Sequence, residues 1–293
     1  MIKKKIKTLN MYVPITGRCN QHCDFCEVPL FKFKNLSLED FKKIFDDNIN
    51  EFDADEILIN IGGGETLLNE NLCSILKFCQ DYKIKNNNVS RITLFTNGKR
   101  LSDKEFSNEF FSFLIKNNIN LYFVISTTIF SKETQLGIKN LIESDYYPEH
   151  LYIKAVVSNK FISQIDTWYN NLLPIITTGH KKKVAVRFRF INLKFLAEKN
   201  GYQSTYKEVM PALEKYIGLL IDNNIFVQSE FFPWCIWNDK KLFDKHQAFP
   251  KTSYNQEEQN GVYIEKCNSC FKKDWCNGFT KWTIPDESEM TFS

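Results

Sequence analysis

Cys19, Cys23 and Cys26 are spaced C-x3-C-x2-C within eight residues. Three thiols this close cannot all pair as disulfides, because one is left over. They can cap three irons of a cubane [4Fe–4S] cluster, which takes four ligands and so leaves its fourth iron open to a small molecule. Zinc is the competing metal, but structural zinc sites usually read as two pairs of ligands, C-x2-C or H-x3–5-H. A single triplet matches that pattern poorly.

A second set follows residue 230: Cys235, then Cys267-x2-Cys270-x5-Cys276 with Gly278 just beyond. Four cysteines suit one tetrathiolate centre, fully ligated by protein and therefore fitted to electron transfer or to structure. Zinc has the same ligand count and stays open as the alternative here. The remaining two, Cys73 and Cys79, fall on a predicted helix with Leu72, Ile75 and Leu76 and read as buried free thiols. Nine cysteines with no secretion signal argue for metal or redox use in a reducing compartment, with the cytoplasm expected.

These residues need a frame. From residue 9 to about 230, short β-rich runs alternate with helical stretches. Strands are predicted over 9–16, 56–61, 91–96, 121–126, 151–157, 184–191 and 225–230. Helices are predicted near 37–50, 69–83, 103–117, 132–143, 160–173 and 203–223, with Ser37 and Ser102 as start signals ahead of acidic first turns. Such alternation implies a parallel sheet with crossover helices. Within the strands one face is apolar, as in Met11, Val13 and Ile15 or Val186, Phe188 and Phe190. The other is mixed, with Tyr12, Asn60, Thr93, Lys154, Arg187, Arg189, Gln228 and Glu230. A sheet covered by helices on both sides would be apolar on both. A polar inner face fits an open, partial (β/α)6 TIM-like barrel with a wet or ligand-filled lumen, and a small C-terminal iron–sulfur extension after it. The expected division is residues 1–230 and 231–293.

In βα barrels the chemistry gathers at the C-terminal ends of the strands. Strand one leads into the cysteine triplet. Strand two ends in Gly62-Gly63-Gly64-Glu65-Thr66, strand three in Thr96-Asn97-Gly98 and strand four in Ser126. Glycines allow backbone to approach a ligand closely, although a plain glycine turn would look the same. Lys154, Arg187 and Arg189 share the mixed face, and a buried cation is costly without an anion. A cofactor carboxylate, a substrate carboxylate or phosphate, or Glu230 would each serve.

The triplet, with Phe25 just before its last cysteine, resembles the signature of the radical S-adenosylmethionine (radical SAM) enzymes. Gly63, Gly64 and Glu65 resemble that family's Gly-Gly-Glu segment, with Thr66 where proline is usual. The resemblance implies a partial barrel and a cluster held by Cys19, Cys23 and Cys26. It implies S-adenosylmethionine (SAM) chelating the open iron through its amino and carboxylate groups. Reductive cleavage of SAM to methionine and a 5′-deoxyadenosyl radical would follow, and then hydrogen abstraction from a substrate. It also implies SAM contacts from Gly63, Gly64, Glu65, Asn97 and Ser126, with Phe25 near the adenine and Lys154 and Arg189 as cationic contacts. Thr128 stands where an aspartate often follows. The spacing Cys267-x2-Cys270-x5-Cys276 resembles the core of the SPASM extension and its shorter twitch relative. Thr280 replaces a further cysteine, so one auxiliary [4Fe–4S] cluster is expected rather than two.

The resemblance implies an oxidoreductase-type enzyme that modifies a ribosomally made peptide by cross-link, thioether, epimerisation or oxidation. A small-molecule dehydrogenase or rearrangement enzyme is the alternative, and a non-catalytic metal-binding barrel a further one. An electron donor such as flavodoxin or ferredoxin is implied. No N-terminal leader-binding domain fits ahead of residue 9, so a separate leader-peptide-binding protein is expected. The bulk numbers fit a sizeable core, with 43% hydrophobic and 15% aromatic residues among 293. Charge is near balance, 38 basic against 35 acidic, which gives no stripe for nucleic acid. No run reaches the roughly 20 apolar residues of a membrane span.

Overall fold

The computed structural model describes residues 3–178, 184–191, 195–202, 204–245, 247–248, 262–270, 273, 276, 278 and 279. It divides into two compact units, Met1–Tyr152 with Ile175–Lys183, and Ile153–Pro174 with Val184–Ser293. The cysteine-bearing stretch after residue 230 belongs to the second unit.

Unit one carries β1 (Lys4–Thr16), α1 (Leu38–Glu51), β2 (Phe52–Gly63), α2 (Leu72–Lys85), β3 (Val89–Thr96), α3 (Lys104–Lys116), β4 (Tyr122–Ser126) and α4 (Lys132–Glu143). The four strands pair in parallel and in chain order. Met11, Val13, Ile15, Ile59, Ile61, Ile92, Leu94, Phe123 and Ile125 form the apolar face and are almost completely buried. Phe41 and Phe45 of α1 and Ile75 and Leu76 of α2 are buried with them. Ser37 caps α1 through a reciprocal box with Asp40, as its sequence predicts. Asp103, not Ser102, caps α3: its carboxylate accepts from the Glu105 and Phe106 amides, while Ser102 closes a preceding 3-10 turn.

β1 and β2 begin earlier than hydrophobic alternation predicts, because their mixed first residues, with Lys4, Lys5 and Asp53 among them, pair from Lys4 with Phe52 onward. Backbone pairing needs no apolar side chain, so periodicity does not register these turns of strand.

Unit two takes over within β5 (His150–Val157) and continues through α5 (Asn159–Ile162), α6 (Ile165–Thr178), β6 (Val184–Phe190), α7 (Phe195–Lys199), α8 (Tyr206–Asp222), β7 (Phe226–Glu230), α9 (Lys240–Lys245) and β8 (Gln247–Ala248). β6, β7 and β8 are parallel and again follow chain order. Phe188 packs against Phe161 and Trp168, and Phe190 stacks on Tyr206 at 4.1 Å. The single helix predicted near 160–173 is two, broken after Ile162, where Ser163 and Gln164 close the first turn. α9 and β8 fall in a stretch whose sequence reads as polar loop. No helix among the described residues is long and apolar enough to cross a membrane.

Candidate functional site

In unit one the C-terminal end of β1 runs directly into the cysteine loop. Cys19 is exposed, and Cys23 and Cys26 are half-buried. The loop turns on itself through the Cys26 amide, which donates to the Cys23 carbonyl at 2.9 Å. Two side-chain amides reach the sulfurs. Gln21 Nε2 donates to Cys23 Sγ at 3.3 Å, and Asn97 Nδ2, from the end of β3, lies 3.9 Å from Cys19 Sγ. Asn97 also donates to Asn20 Oδ1 at 2.8 Å.

As free thiols all three are pushed up by burial, Cys23 to about 11. Donation from Gln21, Asn97 and the backbone opposes that rise and favours thiolate, the form that binds metal. Gln21 Oε1 is buried with no hydrogen-bond partner among the described residues. Three thiols with amide donors on sulfur, beside an unfilled acceptor, fit an iron–sulfur cluster bearing a small ligand.

The glycine segment is joined to this loop by backbone. The Gly64 amide donates to the Thr16 carbonyl and the Glu65 amide to the Arg18 carbonyl, both at 2.7 Å. A Cβ at Gly64 would run into the Arg18 carbonyl, and one at Gly63 into the Thr16 carbonyl; Gly63 also has φ +117°. Only glycine accepts that dihedral and that approach. Tyr12 closes the third side, its hydroxyl oxygen accepting from the Gly63 amide at 2.9 Å.

Glu65 is fully buried. Its carboxylate accepts from Thr96 Oγ1 at 2.5 Å, the Asn97 amide at 2.6 Å and the Leu67 amide at 3.0 Å. Glu65 is thereby a brace between the ends of β2 and β3, and it fixes Asn97 where Asn97 meets the cysteine loop. Thr66, in place of the family's usual proline, ties the turn down by donating to the Phe95 carbonyl at 2.6 Å. Ser126 is half-buried at the end of β4, and Phe25 is half-buried within the cysteine loop. Tyr12, Asn20 and Gln21 are participants that motif reading passes over, and Thr96, named at the end of strand three, proves to hold Glu65. Tyr12 had one signal, its place on the mixed strand face.

In unit two, Cys235, Cys267, Cys270 and Cys276 line one pocket, walled by Pro233, Trp234, Tyr263 and Phe279. An antiparallel bridge between Val262 and Phe279 closes the segment, the Val262 amide donating to the Phe279 carbonyl at 2.8 Å and the Phe279 amide to the Val262 carbonyl at 3.0 Å. The Gly278 amide donates to Cys276 Sγ at 3.4 Å, and Tyr263 Oη donates to the Cys276 carbonyl at 2.5 Å. Burial, and then the neighbouring Cys276 and Cys267, push the Cys235 thiol up to about 12. Lys240 Nζ, unanticipated from sequence, lies 3.9 Å over the Trp234 ring and donates to the Trp234 carbonyl at 2.9 Å.

Among the described residues no three His, Cys, Asp or Glu side chains are close enough to hold one metal ion between them. A tetrahedral zinc ion, with Zn–S about 2.3 Å, draws its thiolates to within roughly 4 Å of one another. A cubane puts each thiolate on a different iron and suits a wider spacing. Cys79 is fully buried and Cys73 half-buried on α2, both thiols pushed up by burial. Thr280 lies outside the described residues.

The cations of unit two gather on one acid. Lys154 Nζ, Arg187 Nη1 and Arg189 Nη1 lie 3.4, 3.7 and 3.6 Å from the Glu230 carboxylate. Arg187 also donates twice to Gln228 Oε1, at 3.1 and 2.8 Å. Burial would raise Glu230, but the three cations outweigh it and hold the carboxyl down at about 2. Burial, assisted by the two arginines, lowers Lys154 despite Glu230 beside it.

Residues 13–152 match the family model described as Radical SAM superfamily. Among solved structures, SuiB of Streptococcus suis bound to precursor peptide SuiA is similar, with a TM-score of 0.56 and 15% identity over 76% of this chain. The match covers 49% of that chain, so this protein spans about half its length. SuiB bound to S-adenosylmethionine matches with a TM-score of 0.56 and 16% identity, over 96% of this chain and 77% of that one. At this identity the likeness is one of fold, and it agrees with the α/β partial barrel. No curated protein matches the chain.

Proposed function

Because the chain carries a radical SAM domain over residues 13–152, we propose that it is a radical SAM enzyme that modifies a peptide, with Cys19, Cys23 and Cys26 holding its SAM-binding [4Fe–4S] cluster. When bound, that cluster supplies the electron that cleaves SAM and so initiates hydrogen abstraction. The carrying observation is the paired Gly64-to-Thr16 and Glu65-to-Arg18 amide bonds. They fix the glycine segment against the cysteine loop with no side chain between them.

The residues of this chain divide the work. Gln21 and Asn97 donate to sulfur, stabilise thiolate and hold the loop shape. Gly63 and Gly64 present backbone beside the cysteines, where a SAM amino group would find acceptors. Glu65 holds Asn97 through its amide while Oε2, which accepts from that amide alone, keeps acceptor capacity for a SAM contact. Ser126 and Phe25 complete the SAM contacts, as hydroxyl and adenine neighbour. In unit two, Cys235, Cys267, Cys270 and Cys276 would hold an auxiliary [4Fe–4S] cluster, an acceptor for the electron left on an oxidised substrate.

A peptide substrate is favoured because the similar SuiB was crystallised bound to a precursor peptide. Flavodoxin or ferredoxin would supply the electron, in the cytoplasm.

The test is iron, sulfide and zinc content after anaerobic reconstitution, with a dithionite-driven assay for 5′-deoxyadenosine. About eight irons with 5′-deoxyadenosine formed supports both clusters and the chemistry. About four irons and one zinc removes the electron-acceptor role. A fully loaded protein that never cleaves SAM, beside an active control enzyme, sinks the reading.

A further inference from the structure

Arg187 and Arg189 lie two residues apart on β6 and face the same carboxylate, yet they are engaged differently. Arg187 makes two hydrogen bonds to Gln228. Arg189 comes no nearer to Glu230 than 3.6 Å, and none of its five N–H donors makes a hydrogen bond among the described residues. Its side chain is 31% exposed, against 8% for Arg187.

The guanidinium face is nevertheless held, 5.2 Å from the centroid of the Phe231 ring. Phe231 has φ +62°, a left-handed conformation that is costly for an L-residue and an outlier for an aromatic. The Phe231 carbonyl is fixed by a 2.9 Å bond from Tyr206 Oη, and Phe232 is buried beside Phe190 and Tyr206. Strain of this kind persists where the surroundings impose it, and it gathers at ligand sites. Here it places an aromatic plate behind an arginine whose donors are unfilled.

We propose that Arg189 is the receiving group for a carboxylate carried by the substrate. The planar fork matches a carboxylate with two parallel N–H···O bonds, and stacking on Phe231 leaves the fork edge open to accept them. Glu230 orients the guanidinium without saturating it, since Lys154 and Arg187 share its charge. SAM is the weaker candidate as source, because its carboxylate would already be neutralised in part by the iron it chelates. The assignment rests on the radical SAM reading for the word substrate, but not for the carboxylate.

The experiment uses the reconstituted full chain and two probes. N-acetylglutamate N-methylamide offers a side-chain carboxylate and N-acetylalanine a terminal one. Each is titrated by isotope-edited NMR against its neutral amide counterpart. A preference of about tenfold for one acid over its amide is expected, and which acid shows it identifies the source. Arg189→Gln should reduce that preference to about twofold or less, and Arg189→Lys should restore part of it as a point charge. Equal binding of acids and amides overturns the assignment, as does an undiminished preference in a folded Arg189→Gln protein. Displacement of the acid by saturating SAM also overturns it, since the carboxylate site would then be SAM's. No preference in the parent protein, with its SAM cleavage intact, sinks this assignment alone. Absent SAM cleavage sinks the radical SAM reading however the probes bind.

Discussion

The two cysteine sets differ in exposure and in what walls them, although both carry an amide donor on sulfur. The first is a partly exposed loop held by polar groups: amides on sulfur, backbone bonds from a glycine segment and a buried glutamate behind Asn97. The second is a pocket walled by Pro233, Trp234 and Phe279, with Cys235 and Cys267 buried. Three thiols in an open, hydrogen-bonded loop leave room for an exchangeable ligand. Four in a pocket walled mainly by Pro233 and aromatic rings, with Lys273 on its lining, leave less room for one. The difference lies in what surrounds the thiols as much as in their number, since low polarity excludes water and polar donors stabilise thiolate.

The sharpest break of that contrast is Cys23→Ala. SAM cleavage should vanish, and iron should fall from about eight to about four per chain, read by iron content beside the 5′-deoxyadenosine assay. Retained cleavage would mean the loop is not the reactive centre. Next is Gly64→Ala, whose Cβ would strike the Arg18 carbonyl. Backbone must yield, so a loss of about 2–3 kcal/mol in stability is expected, read by denaturant unfolding. A neutral result would show that the glycine segment is not packed on the loop.

Gln21→Leu is a finer probe. Removing one donor to sulfur should weaken iron retention in the first site about 10–100-fold, measured by competition with a chelator, and leave the second site's iron in place. Equal loss from both sites would erase the distinction between them. The smallest effect on SAM cleavage is expected from Cys276→Ser. It should remove the second site's iron yet leave cleavage without substrate close to that of the parent protein. Abolished cleavage would show that the second pocket does more than accept an electron.

Much of this contrast was legible in the sequence, though unevenly. C-x3-C-x2-C confines three thiols to one loop whatever the fold does, and β/α alternation anticipates the parallel strands. The parity of Arg187, Arg189, Gln228 and Glu230 anticipated a shared face, and the register pairs Arg187 with Gln228 and Arg189 with Glu230. Other features left no local trace. Glu65 in a Gly-Gly-Glu segment reads as a ligand contact, and nothing local shows that its carboxylate also accepts from Thr96 and Asn97, thirty-one and thirty-two residues away. Ser102 ahead of an acidic turn looks like a helix cap, but Asp103 holds the position because a 3-10 turn occupies the preceding residues.

The sequence by itself determined the donor atoms, their spacing along the chain and the alternation of strands, because each depends on neighbours a few residues apart. Only the tertiary structure decided which amides meet which sulfur and that Gly64 lies against Arg18. It realised the grouping of Cys235 with Cys267, Cys270 and Cys276 in one pocket, and it alone left Arg189 over Phe231 with its donors unfilled. Those outcomes depend on strand register and loop closure over tens of residues. There a single-residue slip would turn every side chain to the opposite face, and no short pattern encodes the choice.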